Sequence, residues 1–518
     1  MGISAGARDG LSSVTRGTLY LLLATLGYVA LNFVARVVII RNVTPQDWNA
    51  FSLGLTLVGV VAAVGTLGLQ SAIARSLPYV PSDDERREIV RGSLLIGCVS
   101  AVGSSLVLWA LGPYITSSLG LANLAPVLEV FPIAVGTTVA VGLLAAIFQG
   151  YEDVAPNALF VQVLPPGLFV VFLGAVYLAP SIGLTYESAL LAYVAANIAA
   201  FVLAVVYTVR RLPRLLPGGP RARGATGRLM RFAVPLLFVS VMSTVAGSGD
   251  TLVLGAFHPN AVGTYTASLA LARLLQVGIG AAAYIFLPVA ARFLRSKDLS
   301  SIQLTYVTVT KWMILFSLPL LLLFFFLPSR SLDFVYGAQY ATVVVPLQLV
   351  VLGAFVSTVF GPAANAQVAF GQTRLLAYNA TASGILDIVL ALALVPRYGI
   401  PGAATAWAAA NVAYTGLSLV QLAYLNRVQP FRPHFVVPLA LTAVPVAAFL
   451  ALAPVHYPLW TLPVIGVGIA ALFVLIMLLT RSIDEGDRLL LGAIESLLGR
   501  PLPFVRRIGR LGVPRGDR

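Results

Sequence analysis

The chain alternates long apolar segments with short polar ones, and this alternation predicts a bundle of membrane-spanning helices. The apolar residues come in blocks of about 20, the length that an α-helix needs to cross about 30 Å of hydrocarbon at about 1.5 Å per residue. They do not follow the one-sided spacing of a soluble helix. We predict about fourteen spans, at residues 18–40, 49–74, 92–111, 124–149, 155–179, 187–209, 231–254, 260–287, 304–327, 340–369, 374–396, 401–424, 434–454 and 459–480.

Composition agrees with this pattern. Of 518 residues, 59% are hydrophobic and only 10% are charged, which is typical of an all-α polytopic membrane protein. The single cysteine, Cys98, excludes a disulfide within one chain and a thiolate metal site. The three histidines lie scattered near span ends. We therefore expect no metal and no cofactor.

The positive charges predict the orientation of the chain. Most of the 33 Lys and Arg residues fall in alternate loops, and cytoplasmic loops carry such an excess. This places both termini in the cytoplasm and predicts a multi-pass protein of the plasma membrane. The net charge of +14 is then a consequence of topology and requires no nucleic-acid partner.

Two short matches suggest that the chain contains a repeat. The segment 45–51 (PQDWNAF) is similar to 259–265 (PNAVGTY), and 195–199 (AANIA) is similar to 409–413 (AANVA), both at an offset of 214. The matched positions are separated by an even number of spans, so we predict two lobes of the same orientation. The predicted domains are a six-span lobe at 1–209, a cytoplasmic linker at 210–230, a second six-span lobe at 231–424, spans 13 and 14 at 425–480, and an amphipathic basic tail on the membrane surface at 481–518.

Charged side chains inside the spans mark a candidate site. Arg36, Asp250, Arg273 and Asp387 all fall within apolar segments. A charge at the centre of a bilayer costs roughly 2.5–3.5 kcal/mol on insertion scales, so such residues usually face a protein interior or a water-filled cavity. The stretch 250–288, which holds Asp250 and Arg273 on either side of a polar turn, therefore predicts a cavity.

Several segments resemble one known family. They are 35–48 (ARVVIIRNVTPQDW), 67–70 (LGLQ), 250–273 with its turn VGTY, and 396–404 (PRYGIPGAA). Together they are similar to the polysaccharide flippases of the multidrug, oligosaccharidyl-lipid and polysaccharide exporter superfamily. Asn49 departs from the pattern, because the family usually has glycine there.

The resemblance implies a flippase that moves a polyprenyl-phosphate-linked or polyprenyl-diphosphate-linked oligosaccharide from the cytoplasmic to the outer leaflet by alternating access of two lobes. The implied partners are this substrate, membrane lipids and a coupling ion, with the protein acting as a monomer. Arginine suits phosphate because its planar fork stays protonated and donates paired hydrogen bonds. The candidate phosphate ligands are Arg273, Arg36 and Arg41, and the candidate sugar contacts are Gln276 and Gln70.

Other interpretations of these residues stay open. Arg36 and Arg41 lie near the outer end of the first span, where snorkelling to headgroups is an alternative role. Asp250 and Asp387 are candidates to bind a coupling proton or sodium ion, or they are counter-ions of arginine. An ion-coupled multidrug or cation antiporter of the same superfamily is the second hypothesis. A membrane glycosyltransferase or ligase is the third, but the outer loops are short and carry no clustered carboxylates, so we expect no enzyme.

Overall fold

The computed structural model describes residues 5–80, 82–179, 183–215, 224–295, 298–430, 433–452, 458–480, 482 and 487. Over these residues the chain is helical and contains no β-strand. A π-helix precedes α6 at Asn157–Val163, and 3₁₀ turns join several helices. The α-helices are α1 Ala5–Asn42, α2 Pro45–Gly65, α3 Leu69–Ser76, α4 Asp83–Leu119, α5 Ala125–Gly150, α6 Leu164–Leu178, α7 Tyr186–Leu215, α8 Ala225–Ala246, α9 Gly249–Phe257, α10 Val262–Arg295, α11 Leu299–Phe326, α12 Pro328–Tyr336, α13 Val344–Phe360, α14 Pro362–Ala369, α15 Thr373–Tyr398, α16 Ile400–Asn426, α17 Pro433–Leu452 and α18 Thr461–Leu479.

The polar segments between the spans supply the helix caps. Thr44 precedes α2, and its hydroxyl accepts a hydrogen bond from the Asp47 amide at 3.2 Å, with Pro45 in the first helical position. Both features favour a helix start at this point. Asp298 caps α11 in the same way. Hydrogen bonds from Ser300 and Ser301 lower the pKa of Asp298 to about 2, so this cap stays ionised.

Three of the predicted spans are interrupted where the sequence places glycine. The span predicted at 49–74 breaks between α2 and α3, where Leu67 and Gly68 both have positive φ angles of 50° and 68°. The span at 231–254 breaks at 247–248, between α8 and α9, and the span at 340–369 breaks at Gly361, between α13 and α14. At Gly68 the positive φ favours glycine, whereas Gly361 keeps helical angles and is followed by Pro362, which has no amide hydrogen to continue the helix. A continuous apolar segment therefore does not guarantee a continuous helix.

The structure confirms a multi-pass membrane protein. Within the described residues, eleven helices are long and apolar enough to cross a membrane. Helix α17 adds a shorter apolar segment at Val436–Leu452. The count of fourteen spans, the orientation and the six-plus-six division into lobes stay predictions.

The chain forms two compact units, and the candidate site lies in the second of them. This unit comprises Leu23–Thr266 and Ala391–Ile400. Helix α5 lies at its centre and packs against α2, α3, α4 and α7. Helix α8 packs along α2 and α3, and apolar residues of α3, α4, α5 and α8 form a common core that includes Ile73, Val90, Ile147 and Ala233.

The other unit comprises Met1–Leu22, Ala267–Leu390 and Pro401–Arg518. Helix α11 packs against α13, α17 and α18 in this unit. Lys311 of α11 is buried, and its ammonium donates to the Asp487 carboxylate at 2.5 Å and to the Ser482 carbonyl at 2.8 Å. The indole of Trp312 donates to the same carboxylate at 2.9 Å. Except for residues 482 and 487, the predicted amphipathic tail lies outside the described residues.

The predicted linker at 210–230 is helical at both of its described ends. Helix α7 continues to Leu215 and α8 begins at Ala225. The Glu88 carboxylate of α4 accepts hydrogen bonds from the amides of Gly224, Ala225 and Thr226 at 2.9–3.3 Å. A carboxylate at a helix N-terminus satisfies amides that have no partner within the helix, so α4 fixes the start of α8.

Candidate functional site

A cavity of about 350 Å³ lies inside the unit that contains α5. Its walls come from α1, α2, α5, α6, α7 and the π-helix. Arg36 is the one charged residue among the described residues that line it. The other polar lining residues are Tyr28, Asn32, Thr137, Thr138, Tyr193 and Asn197. The described lining of the cavity is therefore polar on several sides and includes one cationic side chain.

Two contacts hold the Arg36 side chain in place, one with the backbone of α10 and one with an aromatic ring of α2. Its Nη1 donates a hydrogen bond to the Thr266 carbonyl at 2.9 Å, and its guanidinium lies over the Trp48 ring, 5.7 Å from the ring centroid. Cation–π attraction and a charge-assisted hydrogen bond both orient the guanidinium. The Arg36 guanidinium is therefore partly buried and held in one orientation.

One face of α1 carries the polar lining of the cavity. Tyr28, Asn32 and Arg36 recur every four residues, and Ala35 and Ile39 complete the same lining. Residues at this spacing lie on one side of an α-helix. The spacing is visible in the sequence, so Tyr28 and Asn32 could have been grouped with Arg36, although our sequence analysis did not include them.

Aromatic rings form a second wall. Phe51 stacks on Trp48 at 5.8 Å between ring centroids and on Phe169 at 6.4 Å. Tyr193 contacts both Phe51 and Phe169 edge-on, at 6.0 and 5.3 Å. Aromatic faces bind the apolar faces of ring-shaped ligands while hydroxyl groups reach polar neighbours. This wall was not predicted from the sequence, because its members come from α2, α6 and α7 and share no local pattern.

The two turns matched in the sequence contact each other at the end of this unit. The Trp48 indole donates to the Gly263 carbonyl at 2.8 Å. The Asn49 amide group donates to the Asn260 carbonyl at 2.6 Å and accepts from the Gly263 amide at 2.6 Å. We call these four residues the turn clasp. The clasp fixes the start of α10, and with it the Thr266 carbonyl that holds Arg36.

Asp250 lies near the turn clasp and is fully buried. Its carboxylate accepts a hydrogen bond from the Tyr265 hydroxyl and contacts the Thr251 hydroxyl at 3.5 Å. Tyr265 and Thr266 are consecutive residues of α10, so Asp250 and Arg36 are attached to neighbouring positions on one helix. The structure thus connects one predicted substrate ligand with one predicted ion-coupling residue.

Two further candidates belong to this unit but do not line the cavity. Arg41 is exposed at the end of α1. Gln70 lies at the start of α3, with its side chain against Gly142, where an added Cβ would meet Gln70 Nε2 at 2.0 Å. Gly142 lines the cavity, so Gln70 packs against a residue of its wall.

The other three candidates lie in the unit that contains α11. Arg273 is exposed on α10. On the same helix, Gln276 donates to the Ser357 hydroxyl of α13 at 2.9 Å, and Asp387 of α15 is fully buried. Among the described residues of the whole chain, no group of three or more His, Cys, Asp or Glu side chains is arranged to hold a metal ion.

Comparison with known families gives one match. Residues 14–294 match the family described as "Polysaccharide biosynthesis protein". This range covers more than half of the chain and includes the cavity, the turn clasp and Asp250. Among proteins with curated descriptions, none is similar enough to count as a match.

Solved structures share the fold at low sequence identity. Lipid II flippase MurJ in an inward closed conformation is 12% identical, with 88% of this chain and 98% of MurJ covered and a TM-score of 0.68. A multidrug resistance MATE transporter of the MOP superfamily, in an inward-facing conformation, is 16% identical, with 79% and 99% covered and a TM-score of 0.57. A MOP superfamily transporter from Pyrococcus furiosus is 16% identical, with 80% and 97% covered and a TM-score of 0.51. These similarities establish the fold.

Proposed function

The chain belongs to the polysaccharide biosynthesis protein family, and we propose that within it the chain is a flippase for a polyprenyl-phosphate-linked or polyprenyl-diphosphate-linked oligosaccharide. The proposed direction is from the cytoplasmic to the outer leaflet, by alternating access. No covalent bond changes in such a step. The observation that carries the proposal is the cavity around Arg36, whose guanidinium is oriented by the Thr266 carbonyl and the Trp48 ring beside polar and aromatic lining residues.

The chemistry of the cavity fits the head of such a lipid. A phosphate and its sugars cannot cross hydrocarbon unaided, because burying their polar groups without partners costs several kcal/mol each. The cavity volume of about 350 Å³ falls in the range of about 300–1,000 Å³ that small-molecule sites occupy. Arg36 provides a partner for phosphate, Asn32 and Asn197 provide partners for hydroxyl groups, and Tyr193 provides an aromatic surface for a sugar ring.

We propose Arg273 as a second phosphate ligand, used at a different stage of the transport cycle from Arg36. It is an exposed cation on α10, the helix that also contains Thr266, the hydrogen-bond partner of Arg36. We expect Arg273→Ala to abolish glycan export without changing the amount of protein in the membrane. Unimpaired export by this variant would remove Arg273 from the site.

Asp250 is the residue we propose for ion coupling. It is fully buried and is bound by the Tyr265 hydroxyl, and a buried carboxylate can exchange its charge with a proton or sodium ion during a cycle. Its attachment to α10, one residue before the carbonyl that holds Arg36, gives a physical route from ion binding to the substrate cavity. The same observation supports the second hypothesis, an ion-coupled antiporter, for which the substrate would be a drug or an organic cation.

Arg36 distinguishes the two hypotheses because it repels cations and attracts phosphates. The test is to replace the endogenous copy with Arg36→Gln or Arg36→Lys and to measure which lipid-linked glycan accumulates on the cytoplasmic face. We expect accumulation in both variants, since lysine keeps the charge but loses the bidentate fork. The matched control is Arg397→Gln, an exposed arginine outside the cavity. Normal glycan export with new drug sensitivity would instead establish the antiporter.

A further inference from the structure

A second concave surface lies beside the cavity, in the same unit. It is a groove of about 550 Å³ between the π-helix, α6 and α7. Leu159, Phe160, Leu164, Leu203, Val206 and Tyr207 form its apolar walls, and Arg210 and Arg211 complete its lining. Phe160 also lines the cavity around Arg36, so its ring separates the two spaces.

The groove has an apolar part and a cationic end. Along α7, Val206 and Tyr207 lie three and four residues after Leu203, and Arg210 lies four and three residues after them, which puts the four residues on one face of the helix. The distance along α7 from Leu203 to Arg210 is about 10 Å at about 1.5 Å per residue. A ligand that fills the groove therefore needs an apolar segment of this length joined directly to an anionic group.

The two arginines differ in how strongly they are already engaged. Arg211 lies 5.6 Å from the centroid of the Tyr207 ring and 3.8 Å from the Asp153 carboxylate. Its side chain is 54% exposed, so this ion pair is open to water and is weak. Arg210 is exposed at the same end of the groove. Tyr207 is fixed by Phe148 and Phe160, at 5.2 and 5.3 Å between ring centroids, so the floor beneath the arginines is rigid.

We propose that this groove binds one anionic glycerophospholipid, with its phosphate on Arg210 and Arg211 and an acyl chain along Leu203 and Val206. A free phosphate would contact only the arginine end of the groove and would leave the exposed apolar walls uncovered, so it does not account for the whole groove. A zwitterionic lipid would place its cationic group beside the two arginines. An anionic phospholipid satisfies both the walls and the charge. The Phe160 ring would then contact bound lipid on one side and the transported headgroup on the other.

The full chain in lipid nanodiscs allows a binding test that does not depend on transport. Phosphatidylglycerol and phosphatidylcholine carrying the same photoactivatable acyl chain are compared, and the crosslinked peptides are identified by mass spectrometry. We expect phosphatidylglycerol to label the peptides containing Leu159–Leu164 and Leu203–Tyr207 in preference to phosphatidylcholine. Equal labelling by the two lipids would overturn the proposal, because it would show ordinary contact with the bilayer.

Substitutions separate the charged end from the apolar wall. A basic residue near an anionic lipid surface contributes about fivefold to binding, so Arg210→Gln with Arg211→Gln should lower phosphatidylglycerol labelling about 25-fold. Arg91→Gln, at an exposed arginine of α4 outside the groove, should leave it unchanged. Unchanged labelling in the double variant would refute the proposed phosphate contacts.

The apolar wall is tested by filling it. Val206 is 40% exposed, so Val206→Trp should fold and should block the acyl chain, whereas Leu191→Trp, on α7 outside the groove, should not.

Competition identifies the occupant in the unmodified protein. Unlabelled phosphatidylglycerol at an equimolar ratio should lower labelling by the probe to about half, as expected for two ligands of equal affinity. Displacement by polyprenyl phosphate alone would assign the groove to the transported lipid and overturn the proposal.

Discussion

The turn clasp allows one residue to be tested quantitatively. Asn49 makes two side-chain hydrogen bonds, one to the Asn260 carbonyl and one from the Gly263 amide, both at 2.6 Å. Gly263 lies in the first turn of α10, where amides lack partners within the helix. Its amide therefore depends on Asn49. The change Asn49→Ala removes both bonds and provides no replacement.

The expected cost follows from these two bonds. Each contributes about 1 kcal/mol net if water replaces the lost partner, and about 2 kcal/mol if the remaining group stays buried. The free energy that favours the closed clasp over the open one should thus fall by about 2–4 kcal/mol. This corresponds to a roughly 30-fold to roughly 700-fold increase in the open fraction. Since amide hydrogens exchange with solvent only from open states, the Gly263 amide should exchange faster by the same factor.

Hydrogen exchange measured by mass spectrometry on peptides that cover residues 258–266 provides the assay. The control is Asn42→Ala, because Asn42 lies just before the same turn but its amide group donates at 2.7 Å to Val38 of its own helix. That variant should leave exchange at Gly263 unchanged. If Asn49→Ala also left it unchanged, the clasp would not hold α10 and the proposed link from the turn to Arg36 would fail.

Three further predictions concern stability. Gly68→Ala should lower the thermal unfolding midpoint, because Gly68 has a φ of 68° and an added Cβ would meet the α8 backbone at 2.3 Å; Gly103→Ala, with open space around its Cβ position, should not. Lys311→Met should lower the free energy of unfolding by about 3–5 kcal/mol, because it leaves the buried Asp487 carboxylate without its cation; adding Asp487→Leu should restore much of that stability. Hydrogen bonds lower the pKa of Asp298 to about 2, so the stability difference between wild type and Asp298→Ala should be complete above about pH 4, the ordinary range of aspartate. It should disappear as the pH falls towards 2.

The sequence predicted the class of fold because membrane insertion imposes a strong local constraint. Apolar blocks of sufficient length must be helical in lipid, and the structure has helices where these blocks occur. The interruptions at Leu67–Gly68 and Gly361 were not predicted. At Gly68 the backbone of α8 approaches closely, and such an approach leaves little trace in a hydropathy pattern.

The site was predictable only where its residues share one helix or carry unusual charge. Arg36 and Asp250 were identified because a charge in an apolar segment is costly. The aromatic wall was missed, because Phe51, Phe169 and Tyr193 are ordinary core residues in their own segments and become a surface only when three helices meet. Gln70 was selected by residue type alone and is not among the residues that line the cavity, so its role as a sugar contact stays a prediction.

The departure at Asn49 acquires a physical explanation from the turn clasp. Asn49 and Gly263 are equivalent positions in the two matched turns, at the offset of 214, and they bond to each other. An added Cβ at Gly263 would meet Asn49 Oδ1 at 2.6 Å and the Trp48 ring at 2.6 Å, so a side chain at both positions would clash. Glycine at both would leave the Gly263 amide and the Asn260 carbonyl without the partners that Asn49 supplies. Asparagine at 49 with glycine at 263 avoids the clash and also supplies both hydrogen bonds. Two identical residues at these positions could not do both. The asymmetry between the two turns is therefore a condition for their contact.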